Sequence, residues 1–454
     1  MTVDTRTRMT GRERMILVIL LGAQFMLAAD FSIFTVALPA IGGAVGLDLA
    51  ALQWVATAYA LPAAGLTLLF GRVADLYGRR RMLLTGMAIL AVSSAAGGLS
   101  GDPVALLAAR VAQGLATAIT MPAALSLITT SFAEGPLRER ALGLSGALMA
   151  TGFTAGSLLG GVLTGALSWR WAFLINVPVA LAVLAAAPGL LPRGRGTAGG
   201  ALDLPGALAV TGGMVALVYG VTTEPPALLL AGVLLGAFLW IERRSPRPLV
   251  PAGMLRRPTV KWGNLGGLAT VGMATATTFL MTIYLQGVLG YSATVTGLAL
   301  GIPGLAAFAG SVAAPALIRR CGSHAVLSGG LAVQGAMTAL LLFTGTGRGA
   351  IGLVIIVVGA CFAGNMAAVV AFTVTATSRI PDHEQGLATG IATMTQQVAM
   401  TLGIPVISAV VAAATGPSAQ AVLSGIHAGL LANAAIPLAA AALIAFFLSY
   451  RNAE

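Results

Sequence analysis

Long apolar runs, separated by short polar or Pro/Gly-rich breaks, recur along this chain from one end to the other. Runs of about 18 or more such residues match the roughly 20 that a helix needs to cross about 30 Å of hydrocarbon. Six form a first series: Met15–Ile41, Gln53–Gly71, Met82–Leu99, Val104–Ser131, Ala141–Leu167 and Trp171–Leu191. Six more form a second: Trp262–Val288, Thr294–Ile318, His324–Thr344, Ala350–Thr377, Leu387–Thr415 and Ala421–Leu448. Between the series lie two further runs, Leu204–Thr223 and Pro226–Ile241, which read as a spanning hairpin. The pattern predicts an all-α membrane protein with fourteen transmembrane helices, spans 1 to 14 in chain order. Residues 1–14 are then a cytoplasmic tail, 15–191 an N-terminal six-helix bundle and 192–260 a central linker with the two extra helices. Residues 261–448 form a C-terminal six-helix bundle and 449–454 a second cytoplasmic tail.

Composition agrees. The chain is 57% hydrophobic and 9% charged, with a mean hydropathy of +0.94, whereas soluble domains carry about 25% charged residues. It could not cover itself with a solvated surface. The first run follows Arg6, Arg8, Arg12 and Arg14 as a signal peptide would, but it exceeds an h-region of about 7–15 residues and is expected to remain as span 1. Cys321 and Cys361 show neither metal spacing nor a disulfide framework. No cofactor, metal ligand or catalytic residue is expected.

A net charge of +11 would suggest a nucleic-acid partner in a soluble protein. Here position decides, because Lys and Arg concentrate in cytoplasmic loops. With the N-terminus inside, the Arg6–Arg14 cluster, Arg79 to Arg81, Arg138, Arg140, Arg243, Arg244, Arg319 and Arg320 are all cytoplasmic. Arg170 and Arg348 fall outside, and Arg110 lies within span 4. The hairpin tip, Thr222 to Pro226, has no basic residue while both flanks have several. Both termini are expected in the cytoplasm and no nucleic acid is expected to bind. Removing the hairpin leaves the same orientation, so a twelve-span chain with an in-plane hairpin is the alternative. Arginine outnumbers lysine 24 to 1, which suggests a GC-rich bacterial genome.

Two charges lie well inside the predicted spans, Asp30 and Arg110. At about 1.5 Å of rise per residue, Asp30 lies roughly 16 Å below the outer end of span 1 and Arg110 roughly 10 Å below that of span 4. Intramembrane charge is expensive and counts as functional by default; a satisfied structural arginine is the alternative. A titratable carboxylate within reach of a fixed positive charge is a candidate proton site, with Gln113 in the same R-x-x-Q-G motif. At the end of span 2 the run Gly71, Arg72, Val73, Ala74, Asp75, Leu76, Tyr77, Gly78, Arg79, Arg80, Arg81 allows a tight turn and pairing of Asp75 with the arginines and the next helix N-terminus. In span 5, Gly152, Gly156 and Gly160, with Gly161 beside them, form a small-residue strip that permits close helix approach.

These motifs resemble the major facilitator superfamily. The Gly71–Arg81 run is similar to its inner-loop signature, departing at Leu76, and R-x-x-Q-G to its span-4 motif, whose arginine is implicated in proton coupling. The glycine strip continues into W-R-W-x-F-x-I-N-x-P over Trp169–Pro178 and resembles the antiporter motif of the fourteen-span drug:proton antiporters. Ser157 stands where that branch usually has proline. D-F-S-I-F-T-V-A-L-P-A-I from Asp30 to Ile41 and Y-L-Q-x-x-L-G-Y-S from Tyr284 fit the same branch; Gly386–Gly403 fits more weakly, with Gln396 where arginine is common. Pro315, Arg319, Arg320 and Gly322 look like a decayed copy of the Gly71–Arg81 loop.

The resemblance implies a major facilitator fold, two six-helix bundles plus two extra central helices, working by alternating access around a site between the halves. It implies a proton-coupled exporter of drugs or antibiotics in the inner membrane of a bacterium. Its partners are a small-molecule substrate, protons and the lipid bilayer, with a monomer the simplest oligomeric state. Asp30, Arg110 and Gln113 would serve proton coupling, and Gly71, Asp75, Gly78, Arg79 and Arg80 would act as a conformational gate. The competing transport reading is a carrier of an endogenous neutral or anionic metabolite with Arg110 as the binding charge. An intramembrane enzyme or receptor is a remote third: His324, His383 and His427 give no catalytic spacing.

Overall fold

The computed structural model describes residues 9–132, 136–192, 204–244, 254, 257–378, 380, 385–415 and 419–449. These residues are helical almost throughout, and no strand occurs among them. The helices are α1 (Gly11–Val45), α2 (Leu49–Tyr77), α3 (Arg79–Leu99), α4 (Pro103–Ser131), α5 (Pro136–Ala166), α6 (Arg170–Leu174), α7 (Asn176–Leu190), α8 (Leu204–Thr222) and α9 (Ala227–Arg244). They continue as α10 (Pro258–Ile283), α11 (Ala293–Gly301), α12 (Pro303–Cys321), α13 (Ser323–Leu340), α14 (Ala350–Thr377), α15 (Gln385–Ala414) and α16 (Ala419–Ser449). The chain divides into two compact units, Met1–Thr211 and Gly212–Glu454.

Helix ends follow local chemistry. Thr10 opens α1 with a capping box: its Oγ1 accepts the Glu13 amide at 3.2 Å while its own amide donates to Glu13 Oε2 at 2.7 Å. Asp48 and Asp102 cap α2 and α4 by accepting the amides of Ala51 and Ala105. Gly78 (φ 102°) lets α2 pass into α3 through one residue, and Gly322 (φ 83°) does the same between α12 and α13. The weak echo of the first loop in the second half of the sequence thus has a shared backbone geometry.

In the first unit α1 packs against α5, α4 and α7, α2 against α4, and α3 against α4 and α7. In the second, α10 packs against α14, α15 and α16, and α13 against α14 and α16. The Y-L-Q-x-x-L-G-Y-S stretch closes α10 with a π turn over Tyr284–Val288. Tyr284 Oη donates to the Gly345 carbonyl at 2.6 Å and Tyr291 Oη to that of Arg348 at 2.9 Å, so the motif ties the end of α10 to the chain after α13.

Ten helical stretches among the described residues are long and apolar enough to cross a membrane. They are α1, α3, α4, α6 with α7, α10 with its π turn, α11 with α12, α13 with its last turn, α14, and most of α15 and α16. The protein is therefore a polytopic helical membrane protein. The two central runs do form a hairpin: a methyl at Gly213 would meet Leu235 and one at Gly220 would meet Leu228. α8 carries the apolar stretch Leu208–Val221 among the described residues, and α9 ends in Glu242, Arg243 and Arg244.

A buried ion pair as the candidate functional site

Asp30 lies in the middle of α1 and Arg110 in the N-terminal half of α4, and both side chains are fully buried. The sequence placed both inside spans; the structure brings them together. Arg110 Nη1 donates to Asp30 Oδ2 at 2.8 Å and also to Gln113 Oε1 at 2.8 Å. Arg110 Nε donates to the Val55 carbonyl of α2 at 2.9 Å. Gln113 Nε2 continues the chain to Ser94 Oγ of α3 at 2.8 Å. The other carboxylate oxygen, Asp30 Oδ1, accepts Asn176 Nδ2 from the first turn of α7.

Two aromatic rings complete the cage. The guanidinium carbon lies 3.8 Å from the centroid of Phe34 and 4.5 Å from that of Tyr59. Phe34 is held edge-on by Phe173 of α6, with ring centroids 4.4 Å apart. Tyr59 Oη donates to the Leu27 carbonyl at 3.1 Å and accepts from Thr117 Oγ1 at 2.9 Å. Side chains or carbonyls from α1, α2, α4 and α7 thus converge on one guanidinium and one carboxylate, with Ser94 of α3 and Phe173 of α6 holding Gln113 and Phe34 behind them. Desolvating two charges is offset only where geometry is good and further hydrogen bonds are made. Here Arg110 Nη2 and Asn176 Oδ1 are the polar atoms of the cage with no hydrogen-bond partner among the described residues.

The glycine strip of α5 makes the close approach possible. A Cβ at Gly152 would lie 3.0 Å from Ala28 Cβ and one at Gly160 2.6 Å from the Ile33 carbonyl oxygen, while one at Gly156 would overlap the Ala29 carbonyl oxygen. The strip therefore seats the α1 backbone on both sides of Asp30. Gly161 is buried beside it. Ser157, in the expected proline position, hydrogen bonds to Ser32 Oγ at 2.7 Å, and α5 runs as one helix from Pro136 to Ala166.

Residues of the Gly71–Arg81 run lie away from this cage. Gly71 faces Pro122 of α4, Gly78 forms the α2–α3 hinge, and Arg79 is partly buried. Arg80 Nη1 donates to the Leu191 carbonyl and Arg12 Nη2 to that of Leu190, each at 3.1 Å, so two arginines cover the C-terminus of α7. The expected pairing of Asp75 with its arginines lies outside the described residues, as the Asp75 side chain is not among them.

Sequence reasoning named Asp30, Arg110 and Gln113 and missed Asn176, Ser94, Phe34 and Tyr59 as their partners. Asn176 stood within the W-R-W-x-F-x-I-N-x-P motif, a signal without an assigned role. Phe34 stood likewise within the D-F-S-I-F-T-V-A-L-P-A-I run, whereas Ser94 and Tyr59 carry no pattern that separates them from other helix residues.

Among the described residues the chain is a polytopic helical membrane protein that holds a caged charge pair inside one unit. Solved transporters share the fold: the nucleoside transporter NupG (TM-score 0.69, 12% identity, 96% of this chain and 99% of that one) and a bacterial homolog of the human lysosomal transporter Spinster (TM-score 0.68, 16% identity, 96% and 97%). The Major Facilitator Superfamily model matches residues 20–404, and the chain belongs to that superfamily. Its relatives include the cephamycin export protein CmcT of Amycolatopsis lactamdurans, 37% identical over 91% of this chain and 88% of that protein. The puromycin resistance protein pur8 of Streptomyces alboniger is 37% identical over 88% and 82%.

Proposed function

We propose that this protein is a proton-coupled exporter of antibiotics or related drugs, working by alternating access in a bacterial cytoplasmic membrane. The observation that carries the reading is the fully buried Asp30–Arg110 pair, 2.8 Å apart. A guanidinium keeps its proton in proteins, so in this reading Asp30 is the group of the pair that takes up and releases a proton. The relatives named for export of or resistance to cephamycin and puromycin support an outward direction and an antibiotic-sized cargo. In this reading the Gly71, Asp75, Gly78, Arg79 and Arg80 loop acts as gate, α8 and α9 complete a count of fourteen spans, and residues 15–191 and 261–448 form the two rocking bundles.

The test begins with susceptibility to cephamycin and puromycin in a host lacking its own pumps, followed by uptake of the responding drug into everted vesicles. The protein should confer resistance to at least one, and Asp30→Asn should abolish concentrative uptake while the variant remains in the membrane. Should Asp30→Asn still concentrate the drug under a pH gradient, proton coupling through Asp30 is wrong, and a carrier built around Arg110 takes its place.

A further inference from the structure

The two oxygens of the Asp30 carboxylate meet partners of different kinds. Oδ2 faces Arg110 Nη1, and a guanidinium has donors only. A proton placed on Oδ2 would point at another N–H. Oδ1 faces Asn176, whose amide has a donor end and an acceptor end of nearly the same shape. Asn176 is fully buried, and its acceptor, Oδ1, has no hydrogen-bond partner among the described residues. Its position is set by the break at Ile175, where α6 ends and α7 begins against α1.

We propose that Asn176 is the positioning residue that fixes proton uptake to the Oδ1 oxygen of Asp30, by turning its amide end for end between the two protonation states. With Asp30 ionised, Asn176 Nδ2 donates to Oδ1, as the structure has it. A proton arriving from water forms an O–H bond at Oδ1. The amide rotates by half a turn and its own Oδ1 accepts that O–H; release of the proton to water reverses the sequence. Asn176 gains and loses no proton. Asp30 Oδ2 keeps its bond to Arg110 throughout, so the cage need not open. One end of the amide lacks a partner in either state, so neither state is favoured by the count of its bonds. Arg110 from α4 is the charged side chain facing Asp30 and Tyr59 from α2 the other titratable one. α5, α6 and α7 bring no ionisable side chain to it among the described residues.

This inference rests on the proton-coupled reading of the same site, and infrared difference spectroscopy separates the two, with the proton itself as probe. The full-length protein in lipid vesicles is taken through a pH titration, with asparagine isotope-labelled. The wild type should gain a carboxylic-acid C=O band that Asp30→Asn lacks. A labelled asparagine amide band should change with the same midpoint, and it should vanish in Asp30→Asn and in Asn176→Leu. In Asn176→Leu the acid band should move to the higher frequency of an O–H without an acceptor, and Asn176→Ser should restore part of that shift. Because the paired midpoints are read on the wild type, a variant that fails to fold leaves the test standing. A wild type with no Asp30 band at any pH overturns the proton reading and this inference with it. An Asp30 band accompanied by a silent asparagine, or unmoved in Asn176→Leu, overturns this inference and leaves proton coupling intact.

Discussion

At the scale of single residues, the cost of the cage lies in its charges. Breaking a buried pair from one side leaves an uncompensated charge and costs about 3–5 kcal/mol, whereas removing both sides costs much less. Arg110→Met should therefore lower the thermal unfolding midpoint of the purified protein sharply, and Asp30→Asn combined with Arg110→Met should recover much of that loss. The double-variant cycle isolates the coupling. Additive losses would mean that Arg110 is held by the Val55 carbonyl and the rings of Phe34 and Tyr59 rather than by the carboxylate.

At the scale of elements, α5 is shaped to the backbone of α1 rather than to its side chains. Gly156→Ala would drive a methyl into the Ala29 carbonyl and force the helices apart, an overpacking cost of about 1–3 kcal/mol. Its melting temperature should fall and drug uptake into everted vesicles with it. Gly189→Ala in α7, where a Cβ meets nothing within 4 Å, should change neither. Much of this was legible in the sequence: the four-residue spacing of Gly152, Gly156 and Gly160 announced a close helix contact, and the similar depth of Asp30 and Arg110 announced that the two charges could meet. The identity of the facing helix was not legible, since spacing within α5 says nothing about what it touches. Asn176 escaped notice for a similar reason, because a neutral amide at a helix start has many uses and only the fold brings α7 to α1. The breaks inside the expected spans, at Ile175 and Ile302, fall beside Asn176 and Pro303, and a proline by itself marks no break here, since Pro39, Pro62 and Pro122 sit inside continuous helices.

At the scale of the whole molecule, the α8–α9 hairpin decides how often the chain crosses the bilayer. Ten stretches among the described residues qualify by length and composition, and the α8–α9 hairpin turns at Thr223 and Glu224, whose amides both bond to the Tyr219 carbonyl. A single cysteine at Thr223, in a background with Cys321 and Cys361 replaced, should react with an impermeant thiol reagent applied to intact cells. Reaction only after permeabilisation would remove the crossing pair and return the count to twelve.

The second unit has a buried polar knot of its own, built without charge. Thr270 Oγ1 donates to Gln334 Oε1 at 2.7 Å, Gln334 Nε2 returns to the Thr270 carbonyl at 3.0 Å, and Asn365 Nδ2 donates to the same threonine at 2.9 Å. Losing one member of such a neutral set leaves an unsatisfied polar group at a cost of about 1–3 kcal/mol, whereas a lone survivor of a buried ion pair costs about 3–5 kcal/mol. Random substitution can thus dismantle the knot by small steps, while the cage around Arg110 resists change at either end. Within one lineage the two polar interiors would age at different rates, the neutral one drifting while the charged one keeps its residues.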